Sequence, residues 1–374
     1  MKKNEKWQFG PFVKQKSPVL SPSDKMRFVC PVSGVETAFE ATNVYNPSAI
    51  VKDGRLHIFY RADSPAYGEE GIDPWGYKKV TCRIAHAEST DGVNFERYPT
   101  PALYPDRDEC FEFEWWGGCG DLHIVEGEDG RYYMNYDGWT GKYDVERYGF
   151  GKNPDGEWED VLLSAVSEDL VNWKKCGPAL KPEWKKYWNH SRSGVVVSRI
   201  ADDGRLIATK INGKYLMYMS HCGHLAISDD LISWDVVLDE KGEPKKLFPE
   251  GNCDGFDGGS HEAGAAAILT EKGIVYFYNA MGKIDGKHYP QGDVPVWSQG
   301  QALISLDDPT LVLDKTDSPT LIPEFDWEIS AHAPVPCLVC NTIVFFNGRW
   351  NMYFGGGDRY IGLAHTEITD PKSH

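Results

Sequence analysis

The chain has 374 residues, 41% hydrophobic and 13% aromatic, with 38 Gly and 23 Pro, a mixture that belongs to a folded protein with many turns and not to a disordered one. Its formal net charge of −17 argues against nucleic-acid or anionic-membrane partners, which need clustered cations to replace counterions; a neutral ligand such as a glycan suits an acidic protein better. The nine cysteines are odd in number and irregular in spacing, which points away from a disulfide framework and towards free thiols.

The N-terminal stretch MKKNEKWQFGPF carries charge but no apolar segment follows it, so neither a signal peptide nor a bilayer span is expected and the predicted location is cytoplasmic. Residues 1–40 read as an irregular arm packing on the folded body, and 41–374 as a single domain. Within that domain a hairpin of apolar residues around a tight turn recurs at 49–62, 123–138, 207–220, 266–280 and 343–357. Asp53-Gly54, Asp129-Gly130, Asn212-Gly213 and Asn347-Gly348 are turn residues that tolerate positive φ. A second part follows each hairpin, at 83–97, 164–175, 225–236, 302–309 and 361–368. In the first three, a strand of small residues ends in Ser or Thr and acids, and an aromatic follows: Phe95, Trp173 and Trp234. Hairpin plus second part make a four-stranded unit, and its fivefold recurrence predicts an all-β fold, a five-bladed β-propeller. The stretches 181–190 and 285–300 show no helical period and read as long loops. Cys337-Leu338-Val339-Cys340 has CxxC spacing, but its apolar interior and the lack of a second pair make it a buried strand.

The second hairpin holds the most chemistry. In WWGGCGDLHIVEGEDGRYYMNYDGW (115–139), Asp121 stands among Trp115, Trp116, Tyr133, Tyr136 and Trp139. Sugar rings stack on aromatic faces while an acid protonates a departing oxygen, so a sugar-processing cleft fits; aromatic core with Asp121 at a strand start fits equally at this point. In a propeller the ligand sits at one mouth of the axis, which makes candidates of residues flanking the inner strands: Asn46, Arg61, Asp63, Asp121, His123, Asp137, Lys210, His221, His261, Glu262, Asp358 and Arg359.

The runs NPSAIVKDGRLHIFYRAD, RIAHAESTDGVNF, GGCGDLHIVEGEDGRYYMNY, KINGKYLMYMS, HEAGAAAILTEKGIVYFYNA, QALISLDDP and YFGGGDRYIGLAHTEI together resemble glycoside hydrolase family 130, over roughly residues 40–368. The family contains β-mannoside phosphorylases and β-mannosidases on a five-bladed β-propeller. Its Glu-Asp-Pro-Arg motif falls here on Gly120, Asp121, Leu122 and His123, so only the Asp is kept. The resemblance implies that Asp121 is the general acid of an inverting reaction, acting through a sugar hydroxyl. An acid in a poorly hydrated aromatic cleft is also expected to favour its neutral form.

Phosphorylases of the family hold phosphate with Arg, Lys and His. Here His123 replaces one Arg, and Met219-Ser220-His221-Cys222 lacks another, while Lys210 keeps its place. Two missing guanidinium forks weaken a phosphate site, so hydrolysis comes first, with Glu262 activating water and Asp63 and Asp137 in reserve. Phosphorolysis, with phosphate on Lys210, His221 and His261, is the alternative, and a non-catalytic glycan-binding propeller is the third reading. Asn46, Arg61, Asp63 and Arg83 match first-blade positions that bind sugar hydroxyls, although Arg61 and Arg83 equally suit Arg–Asp ties between blades. Trp116 and Trp139 are stacking candidates, and Tyr67, Trp75, Tyr77, His288, Tyr289 and Trp297 are expected on loops that wall the cleft. No metal or cofactor is expected, the substrate is an oligosaccharide or glycoside, and the resemblance allows a homo-oligomer.

Overall fold

The computed structural model describes residues 7–65, 80–140, 160–189, 191–249, 255–284, 295–330 and 335–372. The protein is nearly all β: besides its strands the described residues hold one four-residue α-helix, α1 (Phe111–Glu114), and two short 3-10 turns. In chain order, β1 (Val13–Lys14) is followed by the hairpin β2 (Ser23–Val29) and β3 (Glu36–Glu40). The first meander is β4 (Asn43–Lys52), β5 (Arg55–Pro65), β6 (Val80–Ser89) and β7 (Glu96–Arg97). The second is β8 (Gly118–Glu126), β9 (Tyr132–Trp139), β10 (Asp160–Ser167) and β11 (Lys174–Pro178). The third comprises β12 (Val195–Ile200), the short β13 (Leu206–Ala208) and β14 (Lys210–Ile211), then β15 (Lys214–Met219), β16 (His224–Ser228) and β17 (Trp234–Val236). The fourth is β18 (His261–Thr270), β19 (Gly273–Gly282), β20 (Val296–Ile304) and β21 (Val312–Lys315). The fifth runs β22 (Leu338–Phe346), β23 (Arg349–Gly356) and β24 (Tyr360–His365), with β1 from the far end of the chain as its outer strand.

The innermost strands neighbour one another in order: β4 beside β8, β8 beside β12 and β13, β12 beside β18, β18 beside β22, and β22 back beside β4. The apolar residues explain why the sheets stack. Five buried clusters each join two consecutive meanders: Phe59 and Ile84 with Leu122 and Tyr136; Tyr133 and Leu162 with Met217 and Trp234; Tyr218 with Tyr276 and Tyr278; Phe277 with Trp350 and Phe354; and Tyr353 with Ile58 and Tyr60. Each sheet therefore buries both faces, which a sheet at the end of an open stack does not.

The acidic turns after the third strands work as their composition suggests. Asp91 Oδ1 accepts the Val93 and Asn94 amides at 2.8 Å each, and Asp169 and Asp230 repeat the pattern in the next two meanders.

Three expectations need correction. Residues 7–40 are not irregular: β1 pairs Val13 with His365, and Trp7 and Phe9 are buried in the cluster between the fourth and fifth meanders. Such pairing joins opposite ends of the chain and leaves no local periodicity. The stretch 181–190 contains the 3-10 turn Pro182–Tyr187; of the stretch 285–300, residues 285–294 lie outside the described residues and the rest includes the start of β20. Finally, the inner strand of the third meander is β12, not the segment from 207, because Val195 and Val196 pair with Tyr218 and Met217. Cys337 and Cys340 are buried, the latter within β22.

Candidate active site

Four of the five inner strands slip register at a similar depth: β4 between Tyr45 and Pro47, β8 between Gly120 and His123, β18 between Ala263 and Ala267, and β22 between Cys340 and Thr342. A bulge leaves a residue unpaired and re-aims its side chain. Asn46 and Asp121, at two of these bulges, have φ of 45° and 43°, and Ser193, just before β12, has φ of 46°. Asn and Asp are the non-glycine residues that accept this region most readily.

The bulges bring Asn46 and Asp121 together. Asn46 Nδ2 donates to Asp121 Oδ1 at 2.6 Å, and Arg61 Nη1 donates to Asp121 Oδ2 at 3.4 Å. Gly355 of β23 leaves the room for this, since a Cβ there would stand 2.8 Å from Asn46 Oδ1. Arg61 is buried over the rings of Tyr45 (4.8 Å) and Trp139 (5.0 Å), and its Nε donates to Asp63 Oδ1 at 3.1 Å. Asp63 also accepts from Asn43 Nδ2 and the Tyr45 hydroxyl. With so many internal donors it serves as the anchor of Arg61, a poor arrangement for its reserve role as base.

A second guanidinium, Arg192, stands at the centre of the cluster. Its Nη2 is 3.5 Å from Asp121 Oδ2 and 4.0 Å from Glu262 Oε1; its Nε is 3.8 Å from Asp137 Oδ2 and its Nη1 is 4.0 Å from Asp160 Oδ2. The main chain is pinned. The Ser220 amide donates to the Arg192 carbonyl at 2.6 Å, the Arg192 amide to Ser220 Oγ at 3.2 Å, and the Ser193 amide to Asp137 Oδ1 at 3.1 Å. Because one nitrogen reaches both, the facing oxygens of Asp121 and Glu262 lie no more than about 7.5 Å apart.

The electrostatics reverse one expectation. Burial pushes the Asp121 carboxyl up, but Arg61, Arg192 and the Asn46 amide outweigh it and hold Asp121 below the usual carboxylate range. The two guanidiniums beside Asp121 therefore favour its charged form, not its neutral one. The carboxyl driven the other way is Asp137. Its burial, with the nearby charges of Asp121 and Asp160 and against the pull of Arg192, raises it well above the usual range.

The remaining candidates divide. Glu262 faces the cluster, half-buried, with His221 Nδ1 3.7 Å from its Oε1 and Ser260 Oγ 3.1 Å from the same ring nitrogen. His261 does not face it: successive residues of a strand point to opposite sides, and this ring stacks on Phe248 at 4.5 Å. His123 is buried, and burial lowers it to about 4 against the pull of Asp121. It lines a narrow cavity bounded by all five inner strands, together with Ser48, Gly194, Ser198, Ala265 and Asn341. Asp358 is half-buried and accepts from Cys337 Sγ at 3.5 Å. Arg83 turns away, donating to Ser64 Oγ at 2.7 Å and covering Phe28 of the N-terminal hairpin. Trp116 is half-buried, and its amide donates to Thr140 O; it is Trp139 that lies within cation–π range of both Arg61 and Arg192, at 5.0 and 6.0 Å. Lys210 is not in the cluster. It is exposed beside the Asn212-Gly213 turn, 5.0 Å over the ring of its strand partner Tyr215, and Tyr215 precedes Ser220 by a stretch of roughly 16 Å. Arg359, next to Asp358, is exposed. Trp297 is half-buried in β20, while Tyr67, Trp75, Tyr77, His288 and Tyr289 lie outside the described residues.

Arg192 and Asp160 are the residues that sequence reasoning missed. Nothing in the sequence singles out Arg192, which lies just past the stretch 181–190 read as a long loop. Its presence also corrects the argument from missing arginines, because the cluster holds two guanidinium groups after all.

A nearly all-β chain whose inner strands converge on carboxylates, two guanidiniums and an indole has the form of a carbohydrate-active enzyme. The profile of glycoside hydrolase family 130, beta-1,4-mannooligosaccharide phosphorylase, matches residues 162–370, and the chain belongs to this family. It is 29% identical to the 1,2-beta-oligomannan phosphorylase of Thermoanaerobacter sp. (strain X514) over 340 residues, 90% of this chain and 94% of that protein. It is 32% identical to the crystal structure of a putative glycoside hydrolase from Parabacteroides distasonis ATCC 8503, with a TM-score of 0.83 covering 97% of this chain and 98% of that one. A further structure, from work on glycoside hydrolases of the family that target beta-1,2 mannosidic linkages in Candida mannan, is 30% identical with a TM-score of 0.83, covering 99% and 98%.

Proposed function

We propose that the protein is a five-bladed β-propeller enzyme that cleaves a β-mannosidic linkage with inversion, Asp121 supplying the proton to the departing sugar and Glu262 activating water. Five stacked meanders, five clusters between them and the return of β22 to β4 support the propeller. The observation that carries the chemistry is the Asp121–Arg192–Glu262 arrangement, which sets two carboxyls within about 7.5 Å of each other on one guanidinium, close enough to serve one glycosidic bond as acid and base. Water is favoured as the attacking group by charge. Asp63, Asp121, Asp160 and Glu262 surround Arg61 and Arg192, and a phosphate dianion there meets more carboxylates than guanidiniums. Asn46, Arg61 and Trp139 border the acid and are proposed to hold the mannosyl ring.

Phosphorolysis is the second reading, and the names of the curated relatives support it better than they support hydrolysis; beta-1,2-mannobiose and beta-1,2-oligomannan are the substrates those names contain. On this reading Arg192 and the exposed His221 hold phosphate beside Glu262. Inversion is tested by proton NMR of the first product from β-1,2-mannobiose: an α-configured mannose or mannose 1-phosphate is expected, and a β-configured first product contradicts it.

A further inference from the structure

In an inverting hydrolysis a negative charge changes place. Before reaction the base is charged and the acid is neutral; the acid gives its proton to a sugar hydroxyl, whose own proton goes to the glycosidic oxygen as the carbon–oxygen bond breaks, water's oxygen bonds to the anomeric carbon, and water's proton goes to the base. Afterwards the acid is charged and the base neutral, until solvent resets them. Resting on the reading of Asp121 as acid and Glu262 as base, we propose that Arg192 is a shared counter-ion: its guanidinium swings to Glu262 while Asp121 holds a proton and returns to Asp121 once that proton has left.

Three observations carry this. One guanidinium nitrogen, Nη2, faces both carboxylates, at 3.5 Å from Asp121 and 4.0 Å from Glu262. The guanidinium is not locked. All four of its carboxylate neighbours stand at 3.5–4.0 Å, at or beyond hydrogen-bond length, and its buried Nε has no hydrogen-bond partner among the described residues. The backbone, in contrast, is fixed on both sides by Ser220 and by the Ser193–Asp137 contact, so side-chain rotation is enough to move the charge. Other groups bias the pair without doing the same work: Arg61 and Asn46 face only Asp121, His221 faces only Glu262, and Asp137 and Asp160 face the other nitrogens of Arg192. Behind Arg61 lie Asp63, Tyr45 and Cys82. Arg192 alone among the described cations touches both carboxyls.

The test joins kinetics to a readout that does not need turnover. In Arg192→Met, both limbs of the pH–rate profile should move to higher pH, because acid and base each lose a counter-ion, and kcat should fall about 10–100-fold with KM little changed. Arg192→Lys, which keeps a charge near the pair, should recover part of the loss and controls for folding. A raised KM with both limbs unmoved makes Arg192 a plain ligand contact and overturns the proposal. Separately, carboxyl carbon NMR of aspartate-labelled protein follows Asp121, assigned with Asp121→Asn. Glu262→Gln should lower the pH at which Asp121 titrates, Arg192→Met should raise it, and in the double variant the Glu262 substitution should lose most of its effect. An undiminished effect in the double variant refutes the coupling even if the enzyme acts as proposed; intact coupling in a protein that cleaves no mannoside leaves the counter-ion standing and removes the function.

Discussion

Replacing Asp121 by Asn exchanges one carboxyl oxygen for an amide nitrogen and leaves the backbone undisturbed. The choice of Asn matters because residue 121 has φ of 43°, which Asn tolerates and Ala pays for by about 1–2 kcal/mol. Loss of the charge strands neither guanidinium: Arg61 keeps Asp63 at 3.1 Å, and Arg192 keeps Asp137, Asp160 and Glu262 within 4.0 Å. The Asn46 amide at 2.6 Å still has a side-chain oxygen to donate to. The melting temperature should therefore stay within a few degrees of the parent. Catalysis should not survive in the same way. A positioned general acid is worth about 10²–10⁴ in rate, roughly 3–5 kcal/mol at 1.36 kcal/mol per tenfold. The assay is release of mannose from β-1,2-mannobiose at saturating substrate, followed by anion-exchange chromatography, beside a thermal melt of the same sample. A variant that melts like the parent and turns over within threefold of it refutes the assignment of Asp121.

Glu262→Gln should abolish hydrolysis with azide restoring a glycosyl azide, and unchanged hydrolysis moves the base to another carboxylate. Lys210→Ala should leave kcat/KM within about twofold of the parent, with or without phosphate, because this side chain is exposed at the outer turn of its hairpin; a tenfold loss places the site elsewhere. His123 is held neutral by burial, titrating at about 4 when folded against about 6.5 when unfolded. Its contribution is intact above pH 6.5 and is lost as pH falls towards 4, by up to about 3 kcal/mol, so His123→Asn should flatten the fall in urea stability between pH 6.5 and 4, and an unchanged slope contradicts the burial argument. Deleting residues 1–15 removes β1 and the buried Trp7 and Phe9, and should lower the melting temperature by many degrees; an unchanged melt means the arm does not close the fifth sheet.

The hairpins were legible because Asp-Gly and Asn-Gly turns between alternating apolar residues report local backbone geometry. Asp121 was legible as an acid among aromatics, and its family motif marked it again. The register slips were not, since nothing in Asn46-Pro47 or Gly120-Asp121 announces a bulge until the partner strand is seen. The same holds for β1, whose partner is some 350 residues away in sequence, as roughly read from Val13 and His365. Arg192 sits in a stretch without period, and its importance comes from carboxylates on β8, β9, β10 and β18 that only the fold assembles. That assembly also explains why the Asp121 charge was misjudged: neighbouring aromatics suggested a dry apolar cleft, while the guanidiniums that dominate it come from β5 and from the segment before β12. The contrast between His261 and Glu262 was available from strand alternation alone, which allows only one of two adjacent residues to face the cluster.

The most direct measurement is incubation of the protein with β-1,2-mannobiose and a panel of other β-linked mannosides, with and without inorganic phosphate, followed by identification of every product. The account predicts free mannose at the same rate in both conditions. Mannose 1-phosphate formed only when phosphate is present contradicts the assignment of Glu262 as a water-activating base and makes the cluster around Arg192 a phosphate site.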